Sequence, residues 1–264
     1  MSRYEKMFKK LAQKQEGAFI PFWVLGYPSI KASIEVIETL IASGADALEL
    51  GIAFSDPIAD GPIIQNASRI ALENGVTPKD ALEIISHIRK AHPDIPIGLL
   101  LYANLVLGTD ENEFYANAKA AGVDSILVAD VPIKEISTLL AIANKTAIEQ
   151  VMILPPNATA NTIKQVAQTS QGYVYLLSRA GVTGAETEAS MPIDAHIKDL
   201  KKHSSAPTIL GFGISSPHHV TSALDAGVAG VVCGSKVLDV YDQGNGAFVV
   251  FLRAMKQATL PTKA

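Results

Sequence analysis

Residues 47–62 read ALELGIAFSDPIADGP, an apolar run that carries Glu49 and then breaks into prolines, glycines and two aspartates, Asp56 and Asp60. Side chains alternate along a strand, so Leu48 and Leu50 share one face, and Ala47 and Glu49 the other. Leucines that meet a layer of helices turn Glu49 inward, beside the C-terminal end of the strand. A carboxylate there is partly desolvated, which raises its pKa and lets it hold or exchange a proton near neutral pH. An ion pair across the interior is the alternative, and no Lys or Arg occupies the matching position of another strand.

Outward from this stretch the same grammar repeats. Eight short runs rich in Val, Ile, Leu and Tyr are predicted strands: 18–26, 46–51, 95–102, 124–130, 147–154, 172–178, 206–213 and 229–235. Between them lie amphipathic segments such as 29–44, 77–92, 112–122 and 216–227, several opening on Ser, Thr or Pro and closing near Gly. Strand and helix in eightfold alternation predict an α/β fold, a (β/α)8 TIM barrel, as one domain over 1–264. A doubly wound sheet is the rival architecture, but no G-x-G-x-x-G follows the first strand. Tyr4, Met7, Phe8 and Leu11 fall at helical spacing and predict an N-terminal amphipathic helix. The segments after the second and sixth strands are long and rich in Gly, Pro and small polar residues, on the face where barrel enzymes place their sites.

Composition narrows the function. The chain has 264 residues, 48% hydrophobic and 18% charged, with a net charge of -4 and scattered basic residues, which argues against nucleic acid as a partner. Cys233 is a single cysteine in an apolar run, and no run reaches the length of a membrane span, so the expected location is the cytoplasm. The six histidines all fall in helical or helix-end segments, so no metal site is expected. No Ser sits in a G-x-S-x-G elbow and no Lys lies at an inward strand end for a Schiff base.

Strand parity gathers companions for Glu49: Phe22, Gly98, Leu100, Tyr102, Ala129, Ile153, Tyr175, Phe212 and Gly234 lie near strand ends and predict an apolar, aromatic pocket. Gly211, Gly213, Ser215 and Ser216 after the seventh strand, with Gly234 and Ser235 after the eighth, offer backbone amides to an anion. Thr183 and Gly184 in the sixth loop could close over the same anion. Asp56 and Asp60 stand in turn contexts where such a side chain often caps its own backbone. Asp60 is also near enough in the chain for its loop to fold over the same ligand, giving two carboxylates in separate environments.

The stretches GAFIPF (17–22), GADALELGIAFSDPIADGPIIQNA (44–67), IGLLLYANLV (97–106), GVDSILVADVP (122–132), LLSRAGVTGA (176–185) and GFGISSP (211–217) resemble, in order, the tryptophan synthase alpha subunits. The resemblance runs from about residue 16 to residue 240. It implies aldol-type cleavage of indole-3-glycerol phosphate to indole and glyceraldehyde 3-phosphate. It makes Glu49 the acid-base residue, Asp60 the acceptor of the indole N–H, and Tyr175 an assisting polar group. It places Phe22, Leu100, Tyr102, Ala129, Ile153 and Phe212 around indole and glycerol, and Gly184, Gly213, Gly234 and Ser235 around phosphate, with Thr183 touching the loop of Asp60. It also implies no cofactor in this chain and a pyridoxal-phosphate beta subunit as partner in an α2β2 complex, joining indole to L-serine. Ala53, Trp23, Val24 and Tyr27 depart from the family pattern, Ala53 replacing a usual Pro. The alternatives are another phosphate-binding barrel enzyme of amino-acid biosynthesis, or a barrel kept as a non-catalytic partner.

Overall fold

The computed structural model describes residues 1–178, 193–203 and 205–261. Its strands are β1 (Ala18–Leu25), β2 (Leu48–Ile52), β3 (Ile97–Leu101), β4 (Ser125–Val128), β5 (Glu149–Gln150), β6 (Met152–Leu154), β7 (Val174–Leu177), β8 (Thr208–Gly211) and β9 (Gly230–Cys233). The helices are α1 (Arg3–Lys14), α2 (Ile30–Ala42), α3 (Pro62–Glu73), α4 (Pro78–Ala91), α5 (Ala103–Leu107), α6 (Glu111–Ala121), α7 (Ser137–Thr146), α8 (Ala160–Thr169), α9 (Ile193–Lys202), α10 (Pro217–Asp225), α11 (Ser235–Tyr241) and α12 (Asn245–Gln257).

Local chemistry explains many of the boundaries. Ser2 and Glu5 form a reciprocal cap on α1, as Thr77 and Asp80 do on α4, and Pro62, Pro78 and Pro217 occupy first-turn positions where a missing N–H costs nothing. Tyr4, Met7 and Leu11 are buried, so α1 lies with its apolar stripe against the body, as its spacing predicts.

All strand pairs are parallel, in the order β5-β4-β3-β2-β1-β9-β8-β7-β6. The two ends of this order are consecutive in the chain. Where the sequence predicts one strand over 147–154, β5 pairs with β4 through Ser125↔Glu149 and β6 pairs with β7 through Met152↔Val174. Val151 lies between them, and its N–H donates to the Ile126 carbonyl at 2.9 Å. Closing a sheet into a barrel staggers neighbouring strands, so the two neighbours of this run overlap different halves of it. The first and last strands join through Ala18↔Gly230 to Pro21↔Cys233. Gly230 is needed there, because a Cβ would stand 2.5 Å from the Ala18 carbonyl oxygen.

Alternation sorts β1 and β2 as expected. Trp23, Leu48 and Leu50 are fully buried, whereas Phe22 and Glu49, paired in register, line the barrel cavity. On the other side of β1, the Trp23 ring lies 5.5 Å from Tyr27, 5.0 Å from Tyr241 and 6.3 Å from Phe248, and its Nε1–H donates to the Tyr27 carbonyl. Tyr27 Oη in turn donates to Asp242 Oδ1 at 2.9 Å.

At the N-terminal ends of the strands, Asp124 Oδ1 pairs with Arg3 and Oδ2 with Arg89, both at 2.7 Å, while Oδ2 also accepts from the Ile97 N–H. Asp46 accepts from the Phe19 N–H and pairs with Lys256, each at 2.8 Å. Both carboxylates tie helices to the start of the sheet, away from the cavity. No helix among the described residues is long and apolar enough to cross a membrane.

Candidate active site

A cavity of about 630 Å³ opens at the C-terminal side of the strands, and Phe22, Glu49, Asp60, Leu100, Ala129 and Ile153 line it. Tyr175, Phe212, Gly213, Gly234 and Ser235 line it too, whereas Tyr102, predicted with them, does not. Thr183 and Gly184 lie outside the described residues. Among the described residues no group of three or more His, Cys, Asp or Glu is placed to hold a metal ion.

Glu49 is 1% exposed and has no ion pair among the described residues. Its Oε1 accepts from Tyr173 Oη at 3.1 Å, and its Oε2 is buried with no hydrogen-bond partner among the described residues. Burial pushes its carboxyl up to about 8; the Tyr173 hydrogen bond opposes the shift and the charge of Asp60 adds to it. Near it, Ser125 Oγ donates to Tyr4 Oη at 3.1 Å, and the Tyr4 and Tyr173 rings lie 5.4 Å apart. Gly98, in register with Glu49, leaves room for these hydroxyls: a Cβ there would stand 2.8 Å from Ser125 Oγ and 2.9 Å from Tyr4 Oη. The N-terminal helix thus contributes a phenol to the surroundings of the carboxylate.

Tyr175 shares the cavity with Glu49, in keeping with its strand-end position: burial, with the charge of Glu49 adding to it, pushes its phenol well up. It packs against Gly211, where a Cβ would clash with its hydroxyl and ring. The hydroxyl that reaches Glu49 belongs to Tyr173, two residues earlier and on the same side of the strand by alternation. Parity from Tyr175 is the signal that finds it.

Asp60 is 7% exposed, at the end of the loop over 53–61. Tyr102 Oη donates to Asp60 Oδ2 at 2.9 Å and accepts from the Ala59 N–H at 3.1 Å, while Gln65 Nε2 donates to the Asp60 carbonyl at 2.7 Å. Phe54 stacks on the Tyr102 ring at 5.4 Å. Tyr102, outside the lining of the main cavity, is therefore a strut under this loop. Burial pushes Asp60 up to about 6, against the Tyr102 hydrogen bond. Asp56 is exposed and bonded to its neighbour Ser55, in keeping with a turn residue, and Ala53 is buried.

The other end of the cavity presents backbone and a cation. Phe212 and Gly213 have φ of 65° and 75°, and the amides of Gly213 and Ile214 have no hydrogen-bond partner among the described residues. Successive backbone N–H groups in a turn make a concavity suited to an anion. Ser215 is bound to His219 Nδ1 through its N–H at 3.3 Å, and their side chains lie 3.2 Å apart. Lys236, which sequence reading missed, lines the cavity and pairs with Asp239 at 2.6 Å. Its position next to Gly234 and Ser235 is the signal for it. Asp130 was missed too; it lines the cavity and accepts from the Ala103 N–H at 2.7 Å.

Two shifted carboxyl groups, an apolar middle and an end rich in N–H groups suit an aromatic ligand with an anionic tail. Residues 8–258 match the family described as "Tryptophan synthase alpha chain". The chain is 49% identical to the tryptophan synthase alpha chain of Escherichia coli O81 (strain ED1a), over 100% of this chain and 98% of that one. It is similar to the solved structure of Mycobacterium tuberculosis tryptophan synthase in space group F222, with TM-score 0.91, 26% identity and 99% of each chain covered. It is also similar to tryptophan synthase subunit alpha from Legionella pneumophila str. Paris, with TM-score 0.88, 26% identity and 98% of each chain covered. Nearly the whole chain takes part in each of these matches, and it belongs to the tryptophan synthase alpha chain family.

Proposed function

We propose that Glu49 and Asp60 carry the lyase reaction of this family, cleavage of indole-3-glycerol phosphate to indole and glyceraldehyde 3-phosphate. The observation that carries this reading is the pair of carboxyl groups on one cavity, raised to about 8 and about 6. Between those values Glu49 holds a proton while Asp60 is ionised. Protonated Glu49 gives its proton to indole C3, and ionised Asp60 accepts the ring N–H and stabilises the positive charge that develops on nitrogen. The Glu49 carboxylate so formed takes the glycerol hydroxyl proton, the bond from C3 to the glycerol carbon breaks, and the electron pair returns to the ring. Phe22, Leu100, Ala129, Ile153 and Phe212 hold the ring and glycerol. The amides of Gly213 and Ile214, with Ser235 and Lys236, hold the phosphate.

A pyridoxal-phosphate beta chain is the partner in this proposal, assembled as α2β2 in the cytoplasm and adding L-serine to the released indole. That chemistry belongs to the partner, and no step above passes through it. Ile58 and Leu107, 72% and 51% exposed, give apolar docking surface on the cavity side of the barrel. The test is release of indole from indole-3-glycerol phosphate by the purified chain, with and without a beta chain. We expect release in both cases and loss of at least a hundredfold in Glu49→Gln; normal release by that variant would overturn the assignment.

A further inference from the structure

Phe212 is the bulky residue among those in the left-handed region, with φ of 65°, and the structure has to hold it there. A side chain of this kind is strained in that region, at a cost that surrounding contacts must offset. Ser178 supplies the contact. It is 1% exposed, its Oγ–H donates to the Phe212 carbonyl at 2.8 Å, and its N–H reaches the Gly211 carbonyl at 3.4 Å. The end of β7 therefore grips the exit of β8 through two donors on one residue.

The consequence reaches the amides. A peptide unit is planar and trans, so anchoring the Phe212 carbonyl aims the Gly213 N–H in the opposite direction. Gly213 and Ile214 line the cavity, and their amides have no partner among the described residues. Ser178 itself does not line the cavity.

We propose that Ser178 is a positioning residue for anion binding, which fixes the 212–213 peptide so that the amides of Gly213 and Ile214 meet the phosphate of the substrate. This rests on the phosphate reading of that end of the cavity, and the experiment separates the two. Glycerol 3-phosphate, carrying the anion alone, and indole, carrying the ring alone, are titrated calorimetrically into the full chain and into Ser178→Ala, Ser178→Cys and Ser178→Thr. The wild type should bind both. Ser178→Ala should weaken glycerol 3-phosphate at least tenfold and leave indole within twofold. KM for indole-3-glycerol phosphate should rise by a similar factor and kcat should fall less. Ser178→Cys keeps the volume with a weak donor and should resemble Ser178→Ala, providing the measurement if the alanine variant does not fold. Ser178→Thr keeps the hydroxyl and should recover most of the affinity. Unchanged glycerol 3-phosphate binding in Ser178→Ala or Ser178→Cys, or an equal loss for both ligands, would overturn the role of Ser178. Failure of the wild type to bind glycerol 3-phosphate would overturn the phosphate reading itself, and this proposal with it.

Discussion

Glu49 and Asp60 sit in one cavity but are neutralised at different pH, because one is wrapped by the barrel interior and the other is roofed by a loop with a phenol beneath it. The active combination in the proposed reaction, Glu49 protonated and Asp60 ionised, is most populated between their two values. We therefore expect kcat/KM to rise through about pH 6 and fall above about pH 8, as apparent values of a coupled pair. The Tyr173 hydrogen bond favours ionised Glu49. Tyr173→Phe removes that donor, raises the Glu49 pKa further, and should move the alkaline limb to higher pH while leaving the acid limb in place. An alkaline limb that stays put or moves down would mean Tyr173 does not set the protonation of Glu49. Glu49 itself was legible in the sequence because alternation over a few residues decides its face. Tyr173 was not, because choosing between two tyrosines on one strand face depends on depth in the barrel, which strand stagger sets.

Among the elements, α1 is held to the barrel from two sides: by the buried Tyr4 ring and by Arg3, which shares Asp124 with Arg89. Asp124 is 7% exposed, and removing it leaves the guanidinium of Arg89 half-buried without its partner carboxylate. Breaking such a pair from one side costs about 3 kcal/mol. Asp124→Ala should therefore lower Tm clearly, and amide exchange should speed up first over residues 3–14 and at the start of β4. Uniform exchange in α1 at wild-type rates would show that the helix is held by apolar contacts alone. The helices over 30–42, 78–91, 111–121 and 217–225 match their amphipathic patterns closely. The split of the predicted strand over 147–154 did not show in its residues, since its cause lies in how two distant neighbours overlap it. The short helix α5 falls just past the predicted strand over 95–102, where no element is expected, and α3 opens inside the segment read as the loop of Asp60.

For the whole molecule, the raised Glu49 carboxyl has a cost in stability whose sign is fixed. The folded chain keeps this proton up to about pH 8, whereas the unfolded chain releases it near 4.5, the ordinary value for a glutamate, so stability falls as pH rises across that window and levels off above it. At about 1.4 kcal/mol per pH unit, the penalty at the upper end is on the order of 5 kcal/mol. Asp60, raised from 3.8 to about 6, acts in the same direction at lower pH. Glu49→Gln should therefore be more stable than the wild type, with a difference in Tm that grows from pH 5 to pH 8.5. A difference that is constant with pH would show that Glu49 is not buried with its proton. The barrel was legible because eight repeats of one pattern leave few architectures. The cavity lining was legible in outline, since residues at strand ends converge there whatever the register. The interplay of Ser178, Phe212 and Gly213 was hidden, because a positive φ at a phenylalanine leaves no mark in composition.

Trp23 is the single tryptophan of the chain, and it stands back to back with Phe22 across the wall of the barrel. Phe22 faces the cavity, while the indole ring of Trp23 is sealed among Tyr27, Tyr241 and Phe248. The molecule thus carries a fluorophore whose emission should be blue-shifted and quenched little by iodide, fed by energy transfer from three aromatic neighbours. Its signal follows the docking of the C-terminal helices onto the first strand, leaving indole chemistry in the cavity to be followed by other means.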